Sequence, residues 1–507
     1  MKEKALSCSS PRRRILWNDD GDDLRAVAFG CGQIWTARGM VPVVDRFESI
    51  GQFLDLRLSA IAETPVDVIS YCGVFTWPVW DFPRERLTAL GEDPLLPVVD
   101  FAHRHGKEFF FNLRMNDAHT SGPHWQGAAY WEPFRLKHRG CLQARIDDDT
   151  WERAYLPWAR GESTSYPLQD VLARHGSHCR ELLSWATYDY ARSEVRDYFL
   201  DLIQQACERY DLDGIDLDWL RAPYFFRVGE ERRHVPLMND FVRRAAAVIR
   251  ATAEKRGRPI SLCMRVPDSP RRALELGLDV AHWIREGWLD LLVAGNGLAV
   301  FSMPFSPWRE LCAPAGIPVL ACLSRSASTL AEPEAFFGAC LRLWTQKVDG
   351  LYFFNHFIPE EYSTICRGSD LKQLAKETKI YALDTQHSAF ENGTVYEGPV
   401  PMAFEGGGES AETFEIEVPE TVKDGTNVRL KTTWRAPFDG SGAHWALNGN
   451  PLPRSNAEGV SSPEYTVTEL RKGANRIHLN LSLEAMTKAT RVTLEAVSLR
   501  VSAGEAG

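Results

Sequence analysis

The sequence predicts an α/β chain, a (β/α)8 TIM barrel followed by a C-terminal all-β sandwich. Three observations carry this. From residue 12 to about 385, short apolar runs alternate with stretches of helical period, the pattern of parallel strands joined by helical crossovers. Those runs number eight, enough to close a barrel. After about residue 390 the helical period gives way to strict alternation between turn residues.

The strand candidates are Arg14–Trp17, Val66–Tyr71, Glu108–Leu113, Gly214–Asp218, Ile260–Arg265, Leu289–Ala294, Val319–Leu323 and Gly350–Asn355. Helical candidates between them include Ile50–Glu63, Val195–Tyr210, Asn239–Lys255, Arg272–Glu286 and Glu334–Lys347. About 100 residues separate the third strand from the fourth, where a β/α connection needs only a few beyond its helix. The stretch from Asn116 to Tyr188 within this insertion is rich in Trp, Tyr, His and Arg. Loops that follow barrel strands build the active-site face. The insertion therefore reads as a lid or substrate platform, or else as a small packed subdomain.

In the C-terminal region, Thr413–Val418, Val428–Trp434 and Arg476–Leu481 alternate as strands do. Turn signals separate such runs at Gly406-Gly407-Gly408, Asp439-Gly440, Asn448-Gly449 and Lys472-Gly473. The expected division is a barrel over residues 1–390, with the insertion after its third strand, and a sandwich over 391–507. The segments Trp445–Leu452 and Leu470–Ile477 resemble the jelly-roll domains appended to many glycosidases, so the sandwich is expected to be jelly-roll-like. Such a domain binds sugar or buttresses the barrel; buttressing is the expectation here.

Composition narrows the class. Hydrophobic residues at 44% and charged residues at 25% belong to a globular chain rather than a disordered one. A net charge of -10 argues against a nucleic-acid partner, which needs a basic surface. It suits a neutral substrate, and an anionic one where local arginines dominate a cleft. The 11 cysteines are odd in number and lack CxxC spacing, so they read as reduced, buried thiols. The opening MKEKALSCSSPRRR lacks the apolar core of a secretory signal, and no run approaches the ~18–20 apolar residues of a membrane span. The expectation is a cytoplasmic protein with no membrane partner and no cofactor. No metal is expected either, because no histidine pair at helical spacing accompanies the acidic residues. Oligomeric state cannot be read from the sequence.

The segment Tyr210-Asp-Leu-Asp-Gly-Ile-Asp-Leu-Asp-Trp-Leu-Arg-Ala-Pro223 is the most informative. Side chains alternate across a strand, so Asp216 and Asp218 share a face with Gly214, while Ile215 and Leu217 share the other. Two aspartates on an inward face near a strand's C-terminal end sit at the active-site mouth. Crowding two like charges raises one pKa, giving a group that can hold a proton near neutrality. A structural pair bound to arginines is the bland alternative.

DGIDLDW resembles the DGIDIDWE strand of the chitinase family. That family's general acid is the final Glu, and Leu220 stands there in this chain. The longer form DGIDLDWLRAP is closer to a group of bacterial barrel glycosidase-like proteins with DGI-x-LD-x-x-R-x-P on strand four. The resemblance extends to Arg114-Met-Asn-Asp117, Ser193-Glu-Val-Arg196 and Gly350-Leu-Tyr-Phe-Phe-Asn355. It spans roughly residues 12–385 and implies glycoside hydrolase chemistry without fixing a substrate.

Polar residues recur at the other predicted strand ends: Asn18, Asp19 and Asp20; Arg114, Asn116 and Asp117; Arg265; Asn296; Arg325; Asn355 and His356. The expected catalytic carboxyls are Asp218 first, then Asp216 and Asp117, acting on an oxocarbenium-like transition state. Arg114, Asn116, Arg221, Arg265, Asn355, His356 and Asp20 are expected to bind substrate. Trp77 and Trp125, with Trp80 and Trp131, are candidates for stacking on sugar rings. Several arginines together suit an anionic sugar. The rival readings are a lyase or deacetylase using the same carboxylates, and a degenerate barrel that binds carbohydrate without turnover.

Overall fold

The computed structural model describes residues 15–21, 33–36, 39–42, 50–73, 93, 95–117, 133–175, 185–324, 326–356, 362–386, 394–423, 426–455, 462–488 and 491–502. Eight strands form the expected barrel: β1 (Ile15–Asp19), β2 (Val68–Cys72), β3 (Glu108–Arg114), β4 (Gly214–Asp218), β5 (Ser261–Val266), β6 (Leu291–Ala294), β7 (Val319–Ser324) and β8 (Gly350–Phe354). Each pairs in parallel with the next, and β8 returns to β1 to close the barrel.

Alternation along the strands divides the core in two. Leu16, Val68, Phe110, Val293, Leu320 and Tyr352 belong to one apolar cluster, which fills the lumen. Their chain neighbours Trp17, Ile69, Phe111, Leu292, Ala321 and Phe353 join the much larger core between the strands and the helices. Gly214 has a steric reason to lack a side chain. A Cβ built there would lie 2.6 Å from the Phe110 ring. The missing side chain lets that ring occupy the lumen below Asp216.

The long helices Ser193–Arg209 (α1), Glu231–Arg256 (α2) and Pro333–Thr345 (α3) cover the barrel as expected. Two predicted helices are each split. Ile50–Glu63 is Ile50–Arg57 followed by Ser59–Ala62, and Arg272–Glu286 is Pro270–Glu275 followed by Val280–Arg285. The second break falls at Gly277, whose φ of 87° and contact with the Phe226 ring exclude a side chain. Asp279 then caps the next piece through the backbone N–H of His282.

The described part of the insertion after β3 has an aromatic core of its own. Trp158 and Trp185 are buried with ring centroids 6.0 Å apart, and Tyr155 meets Trp185 at 4.9 Å. Phe134 stacks on Tyr198 of α1 at 4.0 Å. Residues 133–175 thus form a packed subdomain seated on the barrel's helices, and these tryptophans are core rather than platform.

The C-terminal region forms two antiparallel sheets. Its strands are β9 (Lys379–Ala382), β10 (Met402–Glu405), β11 (Ser410–Val418), β12 (Val428–Trp434), β13 (Ala443–Leu447), β14 (Asn450–Pro451), β15 (Glu464–Val467), β16 (Gly473–Leu481) and β17 (Arg491–Val501). One sheet runs β9-β17-β12-β15, with β10 also on β17; the other runs β11-β16-β13-β14. Trp434 of the first sheet meets Trp445 of the second with centroids 6.4 Å apart. Asn448 and Gly449 both take positive φ in the two-residue turn from β13 to β14, the mirror-image turn that strand twist favours. The antiparallel region takes in β9, which lies upstream of residue 391.

Barrel and sheets are joined closely. The backbone of Gly338 in α3 lies against Ile380 of β9, leaving no room for a Cβ. Arg342 of α3 pairs with Glu417, and Arg500 pairs with Glu334. Asp384, just past β9, accepts from the backbone N–H groups of Phe301 and Ser302 and from the Ser302 hydroxyl, in the loop after β6.

Candidate active site at the barrel mouth

Strand four places its two aspartates as the alternation predicts, on the inward face with Gly214 behind them. Their register neighbours show how the lumen is layered. Asn112, Asp216 and Cys263 are adjacent across β3, β4 and β5; one step toward the C-terminal end, Arg114, Asp218 and Arg265 are adjacent.

The two carboxyl groups have different surroundings. Asp218 is 0% exposed and receives two parallel bonds from Arg265, Nε to Oδ1 at 2.9 Å and Nη2 to Oδ2 at 2.8 Å. The backbone N–H of Leu220 also donates to Oδ1. Such bidentate geometry fixes the orientation of the carboxylate against the guanidinium. Arg265 is itself 1% exposed, and its guanidinium lies 3.9 Å from the centroid of the Phe354 ring.

Asp216, one layer deeper, has no cationic partner among the described residues. Its Oδ2 accepts from the hydroxyl of Ser70 at 2.6 Å, the amide of Asn112 at 2.9 Å and the hydroxyl of Tyr352 at 2.8 Å. Its Oδ1 has no hydrogen-bond partner among the described residues. Burial pushes this carboxyl above the ordinary carboxylate range; the Asp218 charge adds to that, and the three hydrogen bonds oppose it. The neighbouring Tyr352 hydroxyl is likewise pushed up by burial.

Arg114 donates to Asp117 Oδ2 at 2.8 Å, with Asp117 partly exposed at the rim. Arg221, half-buried, lies 5.4 Å from the Phe354 centroid and is close enough to Arg114, Asp117, Asp218 and Arg265 to feel each charge. Burial first, and then the Arg114 charge, press its guanidinium below the ordinary range. Asp117, Asp218, Arg114, Arg221 and Arg265 therefore converge over Asp216.

Other expected residues are placed elsewhere. Asn116 is buried with its amide committed to main chain: Nδ2 donates to the carbonyls of Tyr188 and Tyr224, and Oδ1 accepts from the N–H of Tyr188. It clasps the insertion to the barrel. His356 packs against Phe336 and Phe353, on the helix side of β8. Asn355 directly follows Phe354 with a φ of 58°, and its Oδ1 is buried without a partner among the described residues. Asp19 turns to Arg57 at 2.8 Å; Asp20 is buried. Trp77, Trp80, Trp125, Trp131 and Arg325 lie outside the described residues. Three members of the site were not anticipated, namely Ser70, Asn112 and Tyr352. The alternation that exposes Asp216 would have found them: each occupies an inward position of its own strand.

The chain matches no protein-family profile, and no curated protein matches it. Among solved structures it is similar to an α-amylase from Geobacillus thermoleovorans complexed with acarbose, at 12% identity over 92% of this chain and 98% of that one, with a TM-score of 0.38. It is also similar to α-L-fucosidase isoenzyme 2 from Paenibacillus thiaminolyticus, at 13% identity over 71% of this chain and 49% of that one, with a TM-score of 0.40. A third is the glycoside hydrolase domain of PelA from Pseudomonas aeruginosa, at 12% identity over 59% of this chain and 91% of that one, with a TM-score of 0.30. None of these likenesses assigns a residue or an activity to this chain. Among the described residues, no helix is long and apolar enough to cross a membrane.

Proposed function

We propose that the chain is a glycoside hydrolase that cleaves a glycosidic bond in an oligo- or polysaccharide through carboxyl groups at the barrel mouth. One observation carries this reading. Two aspartates on one face of one strand have opposite settings: Asp218 is chelated by Arg265, and Asp216 is buried among neutral donors. Environments that divide a carboxyl pair in this way are how one site holds both an ionised group and a proton.

The roles follow from charge. Glycoside cleavage develops positive charge at the anomeric carbon. Asp218 is held at the inner wall of the mouth by its two bonds from Arg265, oriented toward the place where that charge would develop. It acts as nucleophile or as the carboxylate that stabilises that charge. Asp216 lies beneath it with its carboxyl pushed up by burial and by the neighbouring Asp218, which favours its protonated form. Asp117, at the rim and oriented by Arg114, is the second carboxyl for proton transfer. The substrate is a neutral sugar rather than an anionic one. Two of the three arginines that suited an anion spend their charge on Asp117 and Asp218.

The test is a panel of coloured aryl glycosides and polysaccharides. The wild type is expected to turn over at least one of them. Asp218→Asn should lower kcat per folded molecule by about 100-fold or more, and it should also lower the thermal transition, because it leaves the buried Arg265 without its counter-charge. A variant that unfolds early but keeps its rate per folded molecule would make the pair structural. Tight sugar binding with no turnover would make the barrel a binding protein.

A further inference from the structure

The insertion after β3 reaches the barrel mouth through one buried cation. β3 ends at Arg114, and each of the next three residues is held by a different partner. The N–H of Met115 donates to the carbonyl of Asp218 at 2.9 Å, and its carbonyl accepts from the hydroxyl of Tyr190 at 2.6 Å. Asn116 grips the main chain at Tyr188 and Tyr224. Asp117 is held at its own carbonyl, which accepts from Arg135 Nη2 at 2.9 Å. Arg135 belongs to the short helix Pro133–Lys137 of the insertion.

Arg135 is built into place for that contact. It is 3% exposed, and its guanidinium lies 4.6 Å from the centroid of the Tyr188 ring. Tyr188 is buried, and its main chain is the one that Asn116 grips. Phe134, the preceding residue of the helix, stacks on Tyr198 of α1 at 4.0 Å and so seats the helix on the barrel. A planar guanidinium can lie over a ring and still donate in its own plane. Burying a cation is costly, so a residue that only filled space at this position would be apolar. The consequence falls on the Asp117 carboxylate. With its carbonyl held, Asp117 keeps Oδ2 at 2.8 Å from Arg114 Nη1. Arg221, in the loop after β4, also feels the Asp117 charge. We infer that Arg135 is a positioning residue: by holding the Asp117 carbonyl it keeps the rim carboxylate on Arg114, so the insertion completes the barrel mouth as well as packing beside it. The inference rests on the proton-transfer role proposed for Asp117.

Carboxyl-carbon NMR of the intact protein tests this without a substrate, with the Asp117 signal assigned by its loss in Asp117→Asn. Arg135→Met keeps most of the stem and removes the donor. In it the Asp117 titration midpoint should rise by about one pH unit, because a carboxylate that swings away from its cation is easier to protonate. Losing the Arg135 charge would itself raise the midpoint, so the same substitution is made in Arg114→Gln. If Arg135 acts through Arg114, the added rise there should be less than about a third of that in the wild type. Arg135→Lys, with a charge and a donor, should restore at least about half of the shift. On whichever glycoside of the panel is cleaved, Arg135→Met should lower kcat about tenfold and leave KM within about twofold. The inference is overturned if the midpoint moves by less than about 0.3 pH unit, or if the full rise persists in Arg114→Gln. A lower thermal transition with an unmoved midpoint makes Arg135 a packing residue. Arg135→Gln is read in place of Arg135→Met if the latter fails to fold. If no glycoside is cleaved, the hydrolase reading fails and the titration still decides how Asp117 is held.

Discussion

Asp216 and Asp218 are the same residue in the same strand, and only what surrounds their oxygens distinguishes them. That difference predicts a pH dependence. The folded-state pKa of Asp216 is raised by burial, so its contribution to stability is complete below the unfolded value of about 3.9 and is lost as pH rises through the folded value. In Asp216→Asn the side-chain oxygen accepts the same three hydrogen bonds and does not ionise. Melting temperatures of the two proteins, followed from about pH 4 to about pH 9, should therefore diverge in favour of the variant as pH rises. A constant difference would mean that Asp216 is ionised throughout. At this scale the sequence was legible wherever strand alternation held, which covers Asp216, Asp218, Arg114 and Arg265. It was misleading past the strand ends. Asn116 and His356 sit where the chain leaves the sheet, and which way a side chain turns there depends on tertiary partners such as Tyr188 and Phe336.

At the scale of elements, strand four is fixed from inside the lumen. Gly214→Ala would put a methyl group into the Phe110 ring and push the strand, with both aspartates, out of register with β3. Overpacking of this kind costs about 1–3 kcal/mol. The expected result is a lower thermal transition together with a lower kcat, and Phe110→Leu in the same chain should restore part of both. If the alanine variant matches the wild type in both, the ring does not hold the strand. The eight strands were legible because buried parallel strands are continuous apolar runs bounded by turns. The split at Gly277 was legible too, since a glycine in the left-handed region followed by the capping Asp279 is a local stop and start signal, although the continuous helical candidate passed over it. The insertion was legible as an excess of length, but its aromatic richness does not reveal whether the rings face a ligand or one another. Between residues 133 and 175 they face one another.

At the scale of the whole molecule, the sandwich is fastened to the barrel through buried polar contacts. Burial pushes the Asp384 carboxyl up to about 6, against the hydrogen bonds from Phe301 and Ser302 and the nearby Arg342. The contribution of this junction is therefore full below about pH 4 and is lost as pH rises through the folded value. Relative to Asp384→Asn, which is neutral at every pH, the wild type should gain up to roughly 3 kcal/mol between neutrality and about pH 4. Parallel thermal scans should show the melting temperature of the wild type rising relative to that of the variant as the pH falls, and a wild type that loses ground to the variant on acidification would contradict this. The change of period near residue 390 marked the sandwich but missed β9, a four-residue strand whose partner β17 is more than a hundred residues away. Pairing at that separation leaves no local signature. The Phe110 ring in the lumen has a last consequence, which concerns traffic. A barrel stoppered along its axis is a cul-de-sac, so whatever reaches Asp218 enters and departs through one doorway. A long polymer cannot be threaded through such a molecule and must lie across the opening. Under the activity proposed above, spent fragments would leave by the way newcomers arrive and would slow the next turnover by occupying the entrance.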